Sequence, residues 1–80
     1  MGQTYRAPTI KGYRLVWQHR YGKASTGVWS TEEESLDKLV DAELKARANG
    51  FDTRTVGVPG RHLLYVSNAS LLAAQASGII

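Results

Sequence analysis

The sequence predicts an α+β fold, a small two-layer domain whose mainly antiparallel sheet is covered on one face by the first of two helices. Three observations predict it. Segments on either side of a central region alternate in side-chain character with the period of a strand. The central region repeats with the period of a helix behind a capping signal, and glycine-containing turns separate the strands. The predicted order is strand, strand, helix, strand, strand, short helix, with the first helix packed on the sheet.

We expect a single domain over residues 1–80, because 80 residues supply one small core. Residues 1–10 contain Gly2 and Pro8. We therefore expect them to form an arm, an extra edge strand or a loosely ordered segment.

The first predicted hairpin begins with residues 13–20, in which aromatic or apolar side chains alternate with polar ones. Residues 21–27 are rich in turn formers and carry a glycine near each end. Val28 and Trp29 then resume extended character. A hairpin with a loop of moderate length fits this pattern, and it would bring Trp29 opposite Trp17.

The central helix is predicted from its first turn. Ser30 and Thr31 each have a glutamate three residues later, which is the capping-box spacing. Asn49 and Gly50 end the helix, because glycine adopts the left-handed cap conformation without steric cost. Apolar residues recur at helical spacing and predict a buried stripe of Leu36, Leu39, Val40 and Leu44.

A second hairpin and a short helix complete the fold. Residues 51–58 and 61–67 read as strands joined by a type II turn at Pro59 and Gly60. The second of these strands is apolar on both sides, so either of its faces is a candidate for the buried one. Residues 69–77 predict a short helix with Asn68 or Ser70 as its cap.

Charge divides unevenly along the chain. Residues 1–30 contain five of the ten bases and no acid, whereas residues 31–80 contain the other five bases and all seven acids. The absence of cysteine excludes disulfides and thiolate chemistry. The sequence shows neither a secretory leader nor a membrane-spanning stretch, so we expect a cytoplasmic location.

The residues that usually carry catalysis or metal binding do not cluster. His19 and His62 lie far apart and outside any metal-ligand spacing, and no serine occupies a G-x-S-x-G elbow. Six of the seven acids lie in the predicted helix, and the remaining one, Asp52, is typical of a turn. We therefore expect no enzyme activity, no cofactor, no metal site and no catalytic residue.

Two surfaces are candidates for binding. One is the basic side of the first hairpin, which can present arginine and glutamine to base edges while Tyr13, Leu15 and Trp17 pack beneath the helix. Bases on the exposed face of a sheet also serve solubility alone. Its nucleic-acid-binding candidates are Arg14, Gln18, Arg20 and Lys23.

The other surface is aromatic and apolar. It would bind a partner protein or a second copy of the chain, although the same residues also suit a core. Its protein-binding candidates are Trp17, Trp29, Tyr65, Leu71, Leu72, Ile79 and Ile80.

Part of the chain resembles the arm-binding domain at the N-terminus of phage tyrosine integrases. The resemblance rests on Gly12-Tyr13-Arg14-Leu15-Val16-Trp17, the glycine-containing loop, Val28-Trp29-Ser30-Thr31 and the helix at residues 33–44. It implies a small sheet against one helix that reads DNA with the sheet, and the matching positions are Arg14, Gln18, Arg20 and Lys23. The second hairpin and terminal helix lie outside that pattern.

The whole chain is similar to the small orphan proteins with which actinobacterial phages disturb their hosts, some of which are cytotoxic. This resemblance rests on size, on alanine and arginine usage and on the lack of a catalytic set. Such proteins generally bind a host protein, including polymerases, division proteins and oligomeric ATPases. The resemblance implies a non-enzymatic accessory protein that binds a host protein in the bacterial cytoplasm and alters its activity. Sequence-reading DNA binding is the alternative function.

Overall fold

The computed structural model describes residues 6–76 and confirms the α+β fold. Its elements are β1 (Tyr13–Arg20), β2 (Gly22–Ala24), β3 (Gly27–Ser30), α1 (Glu32–Ala48), β4 (Thr53–Val58), β5 (Arg61–Ser67) and α2 (Asn68–Ala76). Helix α1 packs on the sheet formed by β1, β5 and β4. Pro59 and Gly60 form the predicted turn, with Gly60 at φ +84°, a conformation that favours glycine.

The predicted first hairpin is wrong in its pairing. Strand β1 pairs antiparallel with β5, and the three-stranded sheet has the order β1-β5-β4. Strands β2 and β3 pair only with each other, in a separate two-stranded sheet that starts at Gly22, with φ +106°. Trp17 therefore faces Leu64 of β5 and not Trp29 of β3. The central position belongs to β5 because it is the strand that is apolar on both faces.

A β-bulge shifts the side-chain alternation of β1. The register with β5 moves between Leu15 and Trp17, which leaves Val16 as an extra residue in β1. Residues after the bulge therefore point to the opposite face from the one that a simple period of two assigns them.

Both faces of β5 are buried. His62 contacts α1 through Ser35, so its side of the sheet is the helix side. Tyr65 is only 2% exposed on the other side, where its hydroxyl donates to the carbonyl oxygen of Pro8 at 2.6 Å. We call this second side the arm side, because Pro8 of the segment before β1 contacts Tyr65 there. Residues 6–10 contribute no strand.

The ends of α1 follow the sequence signals. Thr31 is the N-cap: its hydroxyl accepts from the backbone N–H of Glu34 at 3.1 Å, and the Glu34 carboxylate accepts from the N–H of Thr31 at 3.0 Å. At the other end, Gly50 has φ +83° and its N–H donates to Arg47, while the N–H of Phe51 donates to Ala46. These two bonds are the Schellman pattern.

The predicted buried stripe of α1 is largely wrong. Leu39 is 5% exposed, but Leu36, Val40 and Leu44 are 48%, 46% and 59% exposed. The face against the sheet is instead lined by small residues around Leu39, namely Ser35, Ala42 and Ala46. The Ser35 hydroxyl donates to the carbonyl of His19 at 3.0 Å and lies 2.8 Å from Nδ1 of His62, and these bonds fix the rotation of the helix.

Helix α2 begins one residue earlier than predicted. Its cap is Ser67, whose Oγ accepts from the backbone N–H of Ser70 at 3.1 Å, so neither Asn68 nor Ser70 has that role. Ala74 is buried. No helix within residues 6–76 is both long enough and apolar enough to cross a membrane.

Candidate interaction surfaces

The exposed side of α1 carries a row of large apolar side chains. Leu36, Val40 and Leu44 are spaced four residues apart, so they form one ridge along the helix, which we call the α1 stripe. It lies roughly a third of a turn from the face that packs on the sheet. Exposed apolar side chains that lie together, rather than scattered singly, are typical of interaction sites.

The predicted aromatic patch does not form as one surface. Trp17 is half-buried on the helix side, where its ring stacks on His19 with centroids 6.0 Å apart. Trp29 is exposed, and the guanidinium of Arg20 lies 5.6 Å from its ring centroid. The prediction that Tyr65 belongs to this surface is wrong, because Tyr65 is a buried residue of the central strand and offers no surface to a partner.

The predicted C-terminal patch is divided. Leu71 is partly buried, whereas Leu72 is 66% exposed on α2. Ile79 and Ile80 lie outside the described residues.

The four predicted nucleic-acid residues do not share a face. Gln18 and Arg20 pair with Leu63 and Arg61 of β5, on the arm side. Arg14 precedes the bulge and pairs with Val66, which places it on the helix side. Lys23 belongs to the separate sheet of β2 and β3. The expected grouping is therefore wrong for Arg14 and Lys23. The expected position of Tyr13 and Leu15 beneath the helix is also wrong, because they pair with Ser67 and Tyr65 on the arm side.

Two residues that sequence reasoning missed complete the arm side. Arg61 lies directly opposite Arg20, and its Nη1 donates to the Gln18 side-chain oxygen at 2.9 Å. Arg54 pairs with Tyr65, and its guanidinium lies 5.4 Å from the ring centroid of Tyr13. The two-residue turn at Pro59 and Gly60 was the available signal, because it puts positions 54 and 61 on one face. We call this set the arginine face: Gln18, Arg20, Arg54 and Arg61.

Acids and bases occupy different layers of the fold. Helix α1 carries six acids and three bases, whereas the strands, loops and residues 6–12 carry seven bases and one acid, Asp52. The acid Asp52 accepts a hydrogen bond from the hydroxyl of Tyr13 at 3.0 Å. Arg20 and Arg61 are like charges in directly opposed positions, where Arg20 lies against the Trp29 ring and Arg61 donates to Gln18. The arginine face therefore concentrates positive charge on the arm side of the sheet.

A buried serine and histidine lie within hydrogen-bond distance between α1 and the sheet. Ser35 is fully buried and its single hydroxyl proton is donated to the His19 carbonyl, so its oxygen accepts from Nδ1–H of His62. The His62 ring also stacks on Tyr21, with centroids 4.9 Å apart. A serine nucleophile needs the reverse polarity, with its proton directed at the imidazole. This pair attaches the helix to the sheet and is not arranged for catalysis.

A shallow cleft of about 520 Å³ lies between the end of α1 and α2. The residues that line it supply no titratable side chain for acid-base chemistry: Asn49, Gly50, Phe51, Ala69, Ser70, Ala73 and Ala74. Across the described part of the chain, no three histidine, aspartate or glutamate side chains gather where they could hold a metal ion.

Comparison with known proteins found no match among family models, curated proteins or solved structures.

Proposed function

We propose that the chain is a non-enzymatic accessory protein that binds another protein through the α1 stripe. The observation that carries this proposal is the exposure of Leu36, Val40 and Leu44 in one row, while small residues of the same helix face the sheet. Burying that row on a partner gains hydrophobic free energy that the monomer leaves unused.

The partner surface that fits the α1 stripe is an amphipathic helix or a groove between helices, because a ridge of side chains at i, i+4 and i+8 fits such a surface. The resemblance of the sequence to host-disturbing phage proteins supports a host protein as the partner. An essential host assembly such as an oligomeric ATPase is among the candidates.

Affinity capture from a host lysate tests the proposal with a matched pair of variants. Val40→Glu puts a charge in the middle of the α1 stripe, and Leu72→Glu puts the same charge on an exposed leucine of α2. We expect one protein to be captured by the unchanged chain and by Leu72→Glu, and lost with Val40→Glu in nuclease-treated lysate. Equal capture by both variants would remove the α1 stripe as the docking site.

Nucleic-acid binding is the second candidate function, and the opposed Arg20 and Arg61 favour it. The arginine face also carries Gln18, and a sheet that presents arginine and glutamine can contact phosphates and base edges. The face lies on the side of the sheet away from the acidic helix, so the helix does not cover it.

A charge-matched comparison tests this second function. The double variant Arg20→Gln/Arg61→Gln and the double variant Arg14→Gln/Lys23→Gln remove the same charge from different places. Fluorescence anisotropy with a labelled duplex at low salt should show a loss of affinity of at least about tenfold for the first pair and a smaller loss for the second. Equal losses indicate nonspecific attraction, and no binding by the unchanged chain ends this candidate.

A further inference from the structure

The α1 stripe is symmetric about Val40. Leu36 and Leu44 each lie four residues from Val40, one on either side. Glu33 and Arg47 each lie seven residues from Val40, again one on either side. Because seven residues are close to two helical turns, Glu33 and Arg47 continue the ridge of the α1 stripe at its two ends.

We infer that two copies of the chain pair through α1, with the helices antiparallel and a two-fold axis at Val40. In that arrangement Val40 meets Val40 of the second copy, Leu36 meets Leu44, and Glu33 meets Arg47 at both ends. A two-fold interface must be self-complementary, and the symmetric placement of like apolar residues and opposite charges meets that requirement. The inference rests on the proposed function, because it names a second copy as one occupant of the same stripe.

The charge distribution of α1 selects the antiparallel orientation. Its first turn is acidic, with Glu32, Glu33 and Glu34, and its last turn is basic, with Lys45 and Arg47. Antiparallel pairing brings each acidic end next to a basic end, whereas parallel pairing places like charges together. The helix dipoles are also aligned favourably when the helices are antiparallel.

Arg47 is held in position for this contact. Its Nε donates to the Thr53 hydroxyl at 3.2 Å, and its Nη2 lies 3.5 Å from the Glu43 carboxylate, yet 61% of the side chain stays exposed. A guanidinium fixed in this way loses little conformational entropy when it meets a carboxylate.

We expect the pair to be weak. The ridge from Glu33 to Arg47 is about 21 Å long, so two such helices bury less than the roughly 800 Å² per partner of a standard interface. Asp37 and Asp41 lie on one flank and approach the same residues of the second copy, although Lys45 neutralises part of this charge at 3.1 Å from Asp41. Interfaces below the standard size are typical of weak, transient contacts, so we expect a dissociation constant of about 1 µM or weaker, and displacement of the second copy by a tighter-binding partner protein.

Analytical ultracentrifugation from about 10 µM to 1 mM tests the pair, with circular dichroism as the check that each variant is folded. The unchanged chain and Leu72→Glu should dimerise, and Val40→Glu should remain monomeric. Glu33→Arg and Arg47→Glu should each weaken the dimer at least about fivefold, because each brings like charges together at both ends of the interface.

Mixing the two charge variants gives the decisive measurement. Each variant alone has two repulsive contacts, whereas one copy of each restores an opposite-charge contact at both ends. The mixture should therefore form a dimer that neither variant forms as well alone. A mixture no more dimeric than its components, or a dimer that Val40→Glu leaves intact, overturns the inference.

The outcome is independent of the lysate experiment. A chain that is monomeric to 1 mM but loses its captured partner on Val40→Glu retains the proposed function and refutes the self-pairing. A Val40-dependent dimer that captures no other protein supports the self-pairing and refutes the proposed function.

Discussion

Removal of the Ser35 hydroxyl by Ser35→Ala should lower the free energy of unfolding substantially. Ser35 is 0% exposed, and its oxygen serves two groups, the carbonyl of His19 at 3.0 Å and Nδ1 of His62 at 2.8 Å. Ser35→Ala removes the partner of the buried His62 nitrogen, at about 1–3 kcal/mol, and of the part-buried His19 carbonyl, at about 0.5–1.5 kcal/mol. The higher helix propensity of alanine returns about 0.5 kcal/mol. The net loss should be about 1–4 kcal/mol, a large share of the roughly 4–12 kcal/mol typical of 80 residues.

Urea unfolding followed by tryptophan fluorescence and by circular dichroism measures this loss. The control is Ser25→Ala in the exposed turn between β2 and β3, which should change the free energy of unfolding by less than about 0.5 kcal/mol. In thermal unfolding, Ser35→Ala should lower Tm by roughly 5–30 °C. A loss below about 0.5 kcal/mol for Ser35→Ala, at an unchanged dependence on urea, would refute the view that this hydroxyl holds α1 in its rotation.

Three further predictions concern stability and use the same urea assay. Leu39→Ala should cost about 2–4 kcal/mol and Leu36→Ala less than about 1 kcal/mol, since only the first is buried; equal costs would contradict the observed rotation of α1. Thr31→Ala should cost about 1 kcal/mol because it removes the acceptor for the N–H of Glu34, and no change would mean that the cap is replaced by water. Burial raises the pKa of Tyr65, against a smaller lowering by Arg61, so the folded state holds the phenol proton more tightly than the unfolded chain. The stabilisation from this shift is complete below about pH 10 and is lost as pH rises through the higher folded pKa. The free energy of unfolding, measured from about pH 8 to pH 11, should therefore fall more steeply with pH for the unchanged chain than for Tyr65→Phe.

Local signals in the sequence predicted most of the elements and their ends. Thr31 with Glu34, Asn49 with Gly50, and Pro59 with Gly60 each act through neighbouring backbone groups, so their geometry depends little on the rest of the chain. For that reason strand β5 and helix α1 have nearly the predicted limits.

The pairing of strands was not predictable from local signals. Residues 21–30 fold back on themselves, while β1 crosses to β5 more than forty residues later in the chain. The extra residue at Val16 then reverses which positions share a face, and a bulge of this kind leaves no mark on a pattern of alternating side chains. This single irregularity separates Arg14 from Gln18 and Arg20.

The rotation of α1 was ambiguous for a different reason. Apolar residues occupy both the side with Leu39 and the side with Val40, so helical periodicity identifies a broad stripe without its buried centre. The choice was made by Ser35, a polar residue that periodicity assigns to solvent and that the sheet satisfies with two hydrogen bonds. The residues left exposed by that choice form the α1 stripe.

The α1 stripe and the arginine face can be occupied at the same time, because α1 lies on the helix side of the sheet and the arginine face lies on its arm side. A second copy or a partner protein bound to α1 therefore leaves Arg20 and Arg61 accessible. Val40→Glu should leave intrinsic affinity for a duplex unchanged when the chain is monomeric, and Arg20→Gln/Arg61→Gln should leave the dimerisation constant unchanged. If the two surfaces are instead coupled, duplex binding must change the dimerisation constant by the same factor by which dimerisation changes the affinity for the duplex, since coupling between two binding equilibria is reciprocal.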